Sequence, residues 1–187
     1  MASLVQIAPP ADVMTLAEAK LHLRVEHTVE DALILALMRS AASQCQTHAN
    51  RSLVTQQWRL TLDEFPPVIE LERGPVQSVQ SITYRDMAGV WQTMPAADYE
   101  VDLGDAVARI MPVYGKTWPT TQPQIGSVRV AYTAGYAAAP AEAIAWIKLQ
   151  LGALYENREA LAQGKVVTEL PGGFADRLLD SIRVVRA

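Results

Sequence analysis

Three carboxylates with alternate spacing, Asp98, Glu100 and Asp102, are the side chains of this sequence that could do chemistry together. Residues two positions apart in a β-strand project from the same face, so the three would lie side by side. Such a set could hold a divalent cation, which takes oxygen ligands. It could also be a solvated strand face, or an acidic face of a channel through which DNA slides without sticking, because like charges repel. The spacing alone leaves these three interpretations open.

Other motifs that could carry chemistry are incomplete. Gly115-Lys116-Thr117 resembles the end of a phosphate-binding loop, but Ile110 stands where the first glycine should be. Trp118-Pro119 follows in place of a helix, and the chain's histidines do not fall on a metal-ligand spacing. The single cysteine, Cys45, lies on an apolar helix face and has no second cysteine with which to form an intrachain disulfide. We therefore predict no catalytic residue, no cofactor and no metal.

The amino-acid composition further limits the class of protein to which the chain can belong. The chain has 187 residues, of which 50% are hydrophobic, and this is enough to bury a core. Its net charge is −4 and no segment concentrates Lys and Arg, which disfavours a protein that grips nucleic acid by neutralising phosphates. No secretion signal and no apolar run of about 20 residues is present. The sequence predicts a soluble, non-secreted protein without a membrane segment.

Two helices are predicted near the start of the chain. Thr15 and Glu18 form a capping box, in which each side chain satisfies a backbone N–H of the other, and the first helix should end near Arg24. Thr28 is predicted to cap a second helix, which ends near Thr47. The apolar residues of this second helix recur on one broad face, which predicts that another helix packs against it.

A β-rich stretch and a third helix follow. From residue 55 the apolar residues alternate with polar ones, which predicts several short strands, with a hairpin turn at residues 86–89. Pro140 then precedes a helix predicted over residues 141–157. Its apolar residues extend almost around the axis, so we expect burial between subunits, with Trp146, Leu149 and Ala153 as the candidate subunit interface.

The predicted fold class is α+β, in which a helical bundle of two N-terminal helices and a long C-terminal helix carries an inserted antiparallel β-sheet or small sandwich. The predicted parts are residues 1–54 (N-terminal helical part), 55–136 (β-rich insert), 137–160 (long helix completing the helical body) and 161–187 (C-terminal docking tail). The tail carries a short amphipathic segment that includes Leu178, Leu179 and Ile182, and such a segment often docks on another surface.

Several blocks of the chain, taken in order, resemble the head-tail connector (adaptor) proteins of tailed bacteriophages. The resemblance covers residues 14–184. Its blocks are Thr15 to Val25 with Asp31, Leu33 and Ile34, then Gly74-Pro75-Val76, Ser81 to Tyr84 with Asp86 and Gly89, Val128 to Tyr136, and Leu154 to Glu159. A Leu-Leu-x-x-Tyr-Arg ending is common in the family, whereas this chain has Ile182 before Arg183.

The resemblance implies a structural role without catalysis. Connector proteins of this family form a ring, usually dodecameric, beneath the portal of a DNA-filled capsid, and join it to stopper or tail proteins. The resemblance thus implies a homo-oligomer in the virion neck, made in the host cytoplasm, with portal and stopper or tail proteins as partners. Genomic DNA would pass through the lumen without sequence-specific binding. The candidate portal-docking residues are Leu178, Leu179, Ile182 and Arg183, and deleting residues 170–187 should abolish portal binding while leaving a folded protein.

Other function classes stay open at this point. The chain could be a different phage joining protein, such as a stopper or a tail-completion factor, although the helical signature favours the connector. It could be a metal-dependent enzyme with its acidic site at Asp98, Glu100 and Asp102. It could also be a plain cytoplasmic binding module, which would remain a monomer and never enter a particle.

Overall fold

The computed structural model describes residues 2–104, 106–157 and 172–184, and it confirms the predicted α+β class with antiparallel sheets. The strands are β1 (Ala2–Gln6), β2 (Gln56–Leu62), β3 (Ile69–Leu71), β4 (Val76–Arg85), β5 (Trp91–Thr93), β6 (Tyr99–Asp102), β7 (Ala108–Pro112) and β8 (Val128–Ala134). The helices are α1 (Leu16–Leu23), α2 (Asp31–Ala49), α3 (Ala141–Glu156) and α4 (Gly172–Arg177), with a short 3-10 helix at Ala96–Asp98.

The chain divides into two compact units. The β unit consists of Met1–Ala11 and Thr55–Tyr136, and the helical unit consists of Asp12–Val54 and Ala137–Ala187. The chain therefore passes from one unit to the other three times.

Two antiparallel sheets make up the β unit. The five-stranded sheet has the order β1-β2-β8-β4-β5, and the three-stranded sheet has the order β3-β7-β6. The inner faces of both sheets contribute to one hydrophobic core, because side chains of β1, β2, β3, β4, β6, β7 and β8 point inward. The buried members of this core are Leu60, Ile69, Leu71, Ile82, Met94, Ala108, Ile110, Val130, Tyr132 and Ala134.

Strand β1 is absent from the prediction, which assigned residues 1–54 to a helical part. Ala2–Gln6 instead pairs antiparallel with β2 at the edge of the five-stranded sheet, and Leu4 packs against the core of the β unit. The reason is that the edge of β2 carries backbone N–H and C=O groups that need hydrogen-bond partners. A short segment can supply these partners even when its own propensity to form a strand is weak. This partner lies more than 50 positions away, so local patterns do not reveal it.

The helical unit begins as the capping box predicts. The Thr15 hydroxyl accepts a hydrogen bond from the Glu18 N–H, and the Glu18 carboxylate accepts one from the Thr15 N–H, at 3.2 and 2.8 Å. The predicted cap at Thr28 is wrong: α2 begins at Asp31, its N-cap residue is Glu30, and no side chain caps it. The Thr28 carbonyl accepts from the Asp31 N–H, while the Asp31 carboxylate accepts from the Lys20 ammonium at 2.6 Å.

The core of the helical unit forms where α1, α2, α3 and the segment after α4 meet. Small side chains of α2, Ala41 and Ala42, lie in this core. Cys45 is fully buried there, and desolvation raises the pKa of its thiol to about 12. The buried members are Met14, Ala19, Ile34, Met38, Ala41, Ala42, Cys45, Leu53, Ala143, Trp146, Ile147, Leu151 and Leu179.

Tyr132 gives a test of the core of the β unit. Its side chain is fully buried, and its hydroxyl donates to the Glu72 backbone carbonyl at 2.8 Å. We expect Tyr132→Phe to lower the free energy of unfolding by about 1 kcal/mol, the usual net value of such a hydrogen bond. Urea denaturation measures this change. Tyr114→Phe is the matched control, because Tyr114 is fully exposed, and equal stability of both variants would contradict the assignment.

Candidate functional site

The structure separates the three predicted carboxylates. Asp98 ends the 3-10 helix and accepts a hydrogen bond from the Lys116 ammonium. Glu100 and Asp102 lie exposed on β6, so the predicted strand face holds two of the three carboxylates. Within residues 2–104, 106–157 and 172–184, no three His, Cys, Asp or Glu side chains are arranged to hold a metal ion. The channel role of Asp98, Glu100 and Asp102 stays a prediction.

The outer face of the three-stranded sheet is predominantly acidic. Asp102 lies opposite Arg109 of β7, and Arg109 lies opposite Glu70 of β3. Glu100 lies opposite Met111, and all five side chains are exposed. Paired residues of neighbouring strands share a face, so these side chains form one surface. We call Glu70, Glu100 and Asp102, with Arg109 between them, the acidic face.

The outer face of the five-stranded sheet carries arginines. Arg129 of β8 lies opposite Thr61 of β2 and Thr83 of β4. Two positions from these threonines stand Arg59 and Arg85, so the three arginines form a diagonal row across β2, β8 and β4. We call Arg59, Arg129 and Arg85, with Trp91 of β5, the basic face.

Trp91 holds two of these arginines in place. The guanidinium carbon of Arg129 lies 4.2 Å from the centroid of the Trp91 ring, and that of Arg85 lies 5.1 Å from it. Cation–π contacts of this kind contribute about 0.5–1 kcal/mol at exposed sites. The Arg85 side chain also donates to the Gln124 amide oxygen at 2.8 Å. Arg85 and Arg129 are therefore held by contacts within the β unit.

Local sequence patterns do not reveal the basic face, because its members lie far apart in the chain. The absence of a Lys- and Arg-rich segment predicted no basic surface, yet the sheet register assembles one from three separate strands. A usable signal existed: Arg59 and Arg129 each occupy outward positions of an alternating strand. Strand pairing was needed to bring them together.

A cavity of about 310 Å³ lies in the β unit. Trp118, one of its lining residues, stacks on Phe65 with ring centroids 4.7 Å apart. The Lys116 ammonium in its wall is bound to Asp98 and lies 3.4 Å from the Ala97 carbonyl. The lysine of the incomplete phosphate-loop motif is therefore occupied within the protein. The lining residues are Tyr84, Met94, Pro95, Asp98, Gly115, Lys116, Thr117, Trp118 and Pro119.

The candidate subunit interface on α3 is largely used inside the subunit. Trp146 is 3% exposed, its indole N–H donates to the Asp176 carboxylate at 3.4 Å, and its ring lies 5.6 Å from that of His48. Ala153 is partly buried, whereas Leu149 is 36% exposed. Contacts with α1, α2 and the C-terminal segment thus cover much of the apolar surface of α3. Leu149 is the member that a neighbouring subunit could reach.

The described part of the predicted tail packs on its own helical unit. Leu179 is 1% exposed in the core, and Leu178 and Ile182 pack against it. The Ile182 carbonyl accepts from the Arg51 guanidinium at 3.2 Å, and the Val184 N–H donates to the Ala49 carbonyl at 3.1 Å. Deleting residues 170–187 would therefore remove part of the core. The rest of the predicted tail, residues 161–171 and 185–187, lies outside the described residues.

The protein is thus an α+β protein of two units, and the basic face and the acidic face lie on the outer faces of its two sheets. None of the described helices has the length and apolar character needed to cross a membrane. Residues 13–102 match the family model of phage gp6-like head-tail connector proteins. No curated protein matches the chain significantly.

Solved structures extend the likeness to nearly the whole chain. A chain from the neck of an empty GTA particle, computed with C6 symmetry, has a TM-score of 0.80 and 25% identity. The match covers 99% of this chain and 97% of that chain. A chain from the neck of a native GTA particle, computed with C12 symmetry, has a TM-score of 0.77 and 24% identity over 99% and 97% of the two chains.

A chain from the virion of a native gene transfer agent particle has the same fold, with a TM-score of 0.76 and 24% identity over 98% of this chain and 96% of that chain. The family match and the neck structures confirm the resemblance inferred from the sequence. Together they support a structural head-tail connector role.

Leu179 tests whether the C-terminal segment belongs to the core of the helical unit. We expect Leu179→Ala to lower the free energy of unfolding by about 2–5 kcal/mol, because it removes a buried side chain and leaves a cavity. Denaturant titration measures this loss. Arg183→Ala, four residues away and exposed, should change stability by about 0.5 kcal/mol or less. Equal, small effects would show that the segment does not pack as described.

Proposed function

We propose that this protein is a structural subunit of the neck of a phage-like particle, where copies of it form a ring. The observation that carries this proposal is the combination of the connector-family match over residues 13–102 with a neck structure that covers 99% of the chain. Necks computed with C6 and C12 symmetry contain such chains, which supports a cyclic homo-oligomer. Its place is the virion neck, the part of the particle from which two of the similar chains come.

The ring would join the portal of a DNA-filled capsid to stopper or tail proteins and let genomic DNA pass without sequence-specific binding. A net charge of −4 suits this role, because an acidic protein does not grip the phosphate backbone. We propose that the protein does not act as an enzyme. We also propose that α1, α2 and α3 act as one bundle, which their shared core supports.

Portal docking would use the surface around the C-terminal segment. Leu179 is buried, so its part is to hold the segment on the helical unit, where Leu178 and Ile182 are partly covered as well. Arg183 is exposed and remains available to a partner. In this proposal, the segment is anchored by its apolar residues and presents its polar ones.

Electron microscopy of this protein mixed with the portal ring of the same particle tests the proposed function. We expect a ring of this protein seated under the portal, because the family and neck comparisons support that position. The free protein is the control, and its folded state is checked by circular dichroism. A folded protein that leaves the portal bare would overturn the connector proposal.

Leu149 tests the contact of α3 with a neighbouring subunit. We expect Leu149→Ala to reduce ring occupancy on the portal while lowering the free energy of unfolding of the subunit by only about 1 kcal/mol, because the side chain is 36% exposed and lies outside the buried core. Ile147→Ala is the contrast, since Ile147 is fully buried and its truncation should cost about 2–5 kcal/mol of stability. Unchanged ring occupancy with Leu149→Ala would remove this residue from the interface.

A further inference from the structure

The two outer faces of the β unit carry opposite charges. Both sheets bury their inner faces in one core, so their outer faces lie on opposite sides of the unit. We propose that the basic face of one subunit docks on the acidic face of the next copy of this chain. This inference rests on the proposed ring and names the surfaces that would close it.

Charge complementarity carries the proposal. The basic face has three arginines, and none of its described strand positions in β1, β2, β8, β4 and β5 carries Asp or Glu. The acidic face has three carboxylates around one arginine. Because the chain has a net charge of −4, the basic face differs in sign from the protein as a whole. Its complement stands on the opposite side of the same unit.

The basic face is built to bind with little loss of side-chain entropy. Arg129 is exposed, yet Trp91 holds its guanidinium by stacking. Arg85 is fixed by the same ring and by Gln124. Ordering a long side chain on binding costs about 0.5–1.5 kcal/mol, and groups that are already ordered avoid much of that cost.

Exposed apolar side chains accompany the charges on both faces. Val5, 45% exposed, lies opposite Arg59 at the edge of the basic face. Met111, 46% exposed, lies opposite Glu100 on the acidic face. Apolar contact would supply affinity, while the charges would set orientation and speed of encounter. Each face therefore combines charged side chains with an exposed apolar side chain, as protein interfaces do.

A closed ring explains why two different faces are needed. Subunits related by rotation about a ring axis meet head to tail, so each presents one surface to the preceding copy and another to the following copy. Opposite sides of the β unit satisfy this geometry. Nucleic acid is a less suitable occupant of the basic face, because it leaves the acidic face without a partner. The pairing gives Glu100 and Asp102 a subunit contact in place of the predicted channel role.

Disulfide trapping between two single-site variants tests the pairing, and it detects even brief encounters. Thr61→Cys places a thiol on the basic face beside Arg129, and Met111→Cys places one on the acidic face beside Glu100. We expect the mixed dimer to form about tenfold or more faster than either homodimer at low salt, because opposite charges speed encounter and like charges slow it. Raising the salt should shrink this preference.

Charge reversal and its rescue supply the controls. Adding Arg59→Glu and Arg129→Glu to the Thr61→Cys chain should abolish the preference, and adding Glu100→Lys and Asp102→Lys to its Met111→Cys partner should restore it. Such rescue shows that the reversed chains still fold. Arg177→Glu, an exposed change in the helical unit, should leave the preference intact. The native Cys45 is fully buried with a raised pKa, so it contributes no background.

Two outcomes would overturn the pairing. The first is that mixed dimers form no more often than random pairing of the two chains predicts. The second outcome combines two results: mixed dimers show no preference, and the Thr61→Cys chain binds duplex DNA but loses it when the two arginines are reversed. DNA would then be the occupant of the basic face. A bare portal with a strong mixed-dimer preference would refute the connector role and leave the pairing standing. A ring seated under the portal without the mixed-dimer preference would support the connector role and refute the pairing.

Discussion

The pairing of β2 with β8 is the contact on which the rest of the structure depends. Seven consecutive residues of each strand align in register, from Gln56 opposite Ala134 to Leu62 opposite Val128. Just beyond them, the Thr55 hydroxyl donates to the Tyr136 carbonyl at 3.3 Å, so the β insert begins and ends at one place. The chain can therefore return to the helical unit, where α2 and α3 share a core although the whole insert separates them in sequence. Closing so long a loop costs entropy, which the paired strands and their buried faces offset.

The pleat of the same strands determines which side chains remain for partners. Inward positions fill the shared core of the two sheets, and outward positions are left to solvent or to other molecules. On the five-stranded sheet these outward positions gather arginines around Trp91, and on the three-stranded sheet they gather carboxylates around Arg109. The strand registers of the two sheets thus set both the packing of the shared core and the charge of the two outer surfaces.

The helical unit uses its apolar surface differently. Trp146 and Leu179 are both nearly fully buried within the subunit, and the Arg51 guanidinium holds the Ile182 carbonyl of the C-terminal segment. A helix that is apolar almost all around therefore does not by itself indicate a subunit interface, because a second segment of the same chain can cover it. The surface left for assembly is smaller and consists of side chains such as Leu149 and Arg183.

The sequence by itself determined the α+β class, the capping box of α1, the helix after Pro140 and the family resemblance, because caps, periodicity and short motifs act over a few residues. Only the tertiary structure decided that residues 2–6 complete a sheet and that Trp146 and Leu179 meet in one core. It alone placed Arg59, Arg85 and Arg129 in one row. These contacts join residues far apart in the chain, and their free energy comes from burial and strand pairing that no local pattern contains.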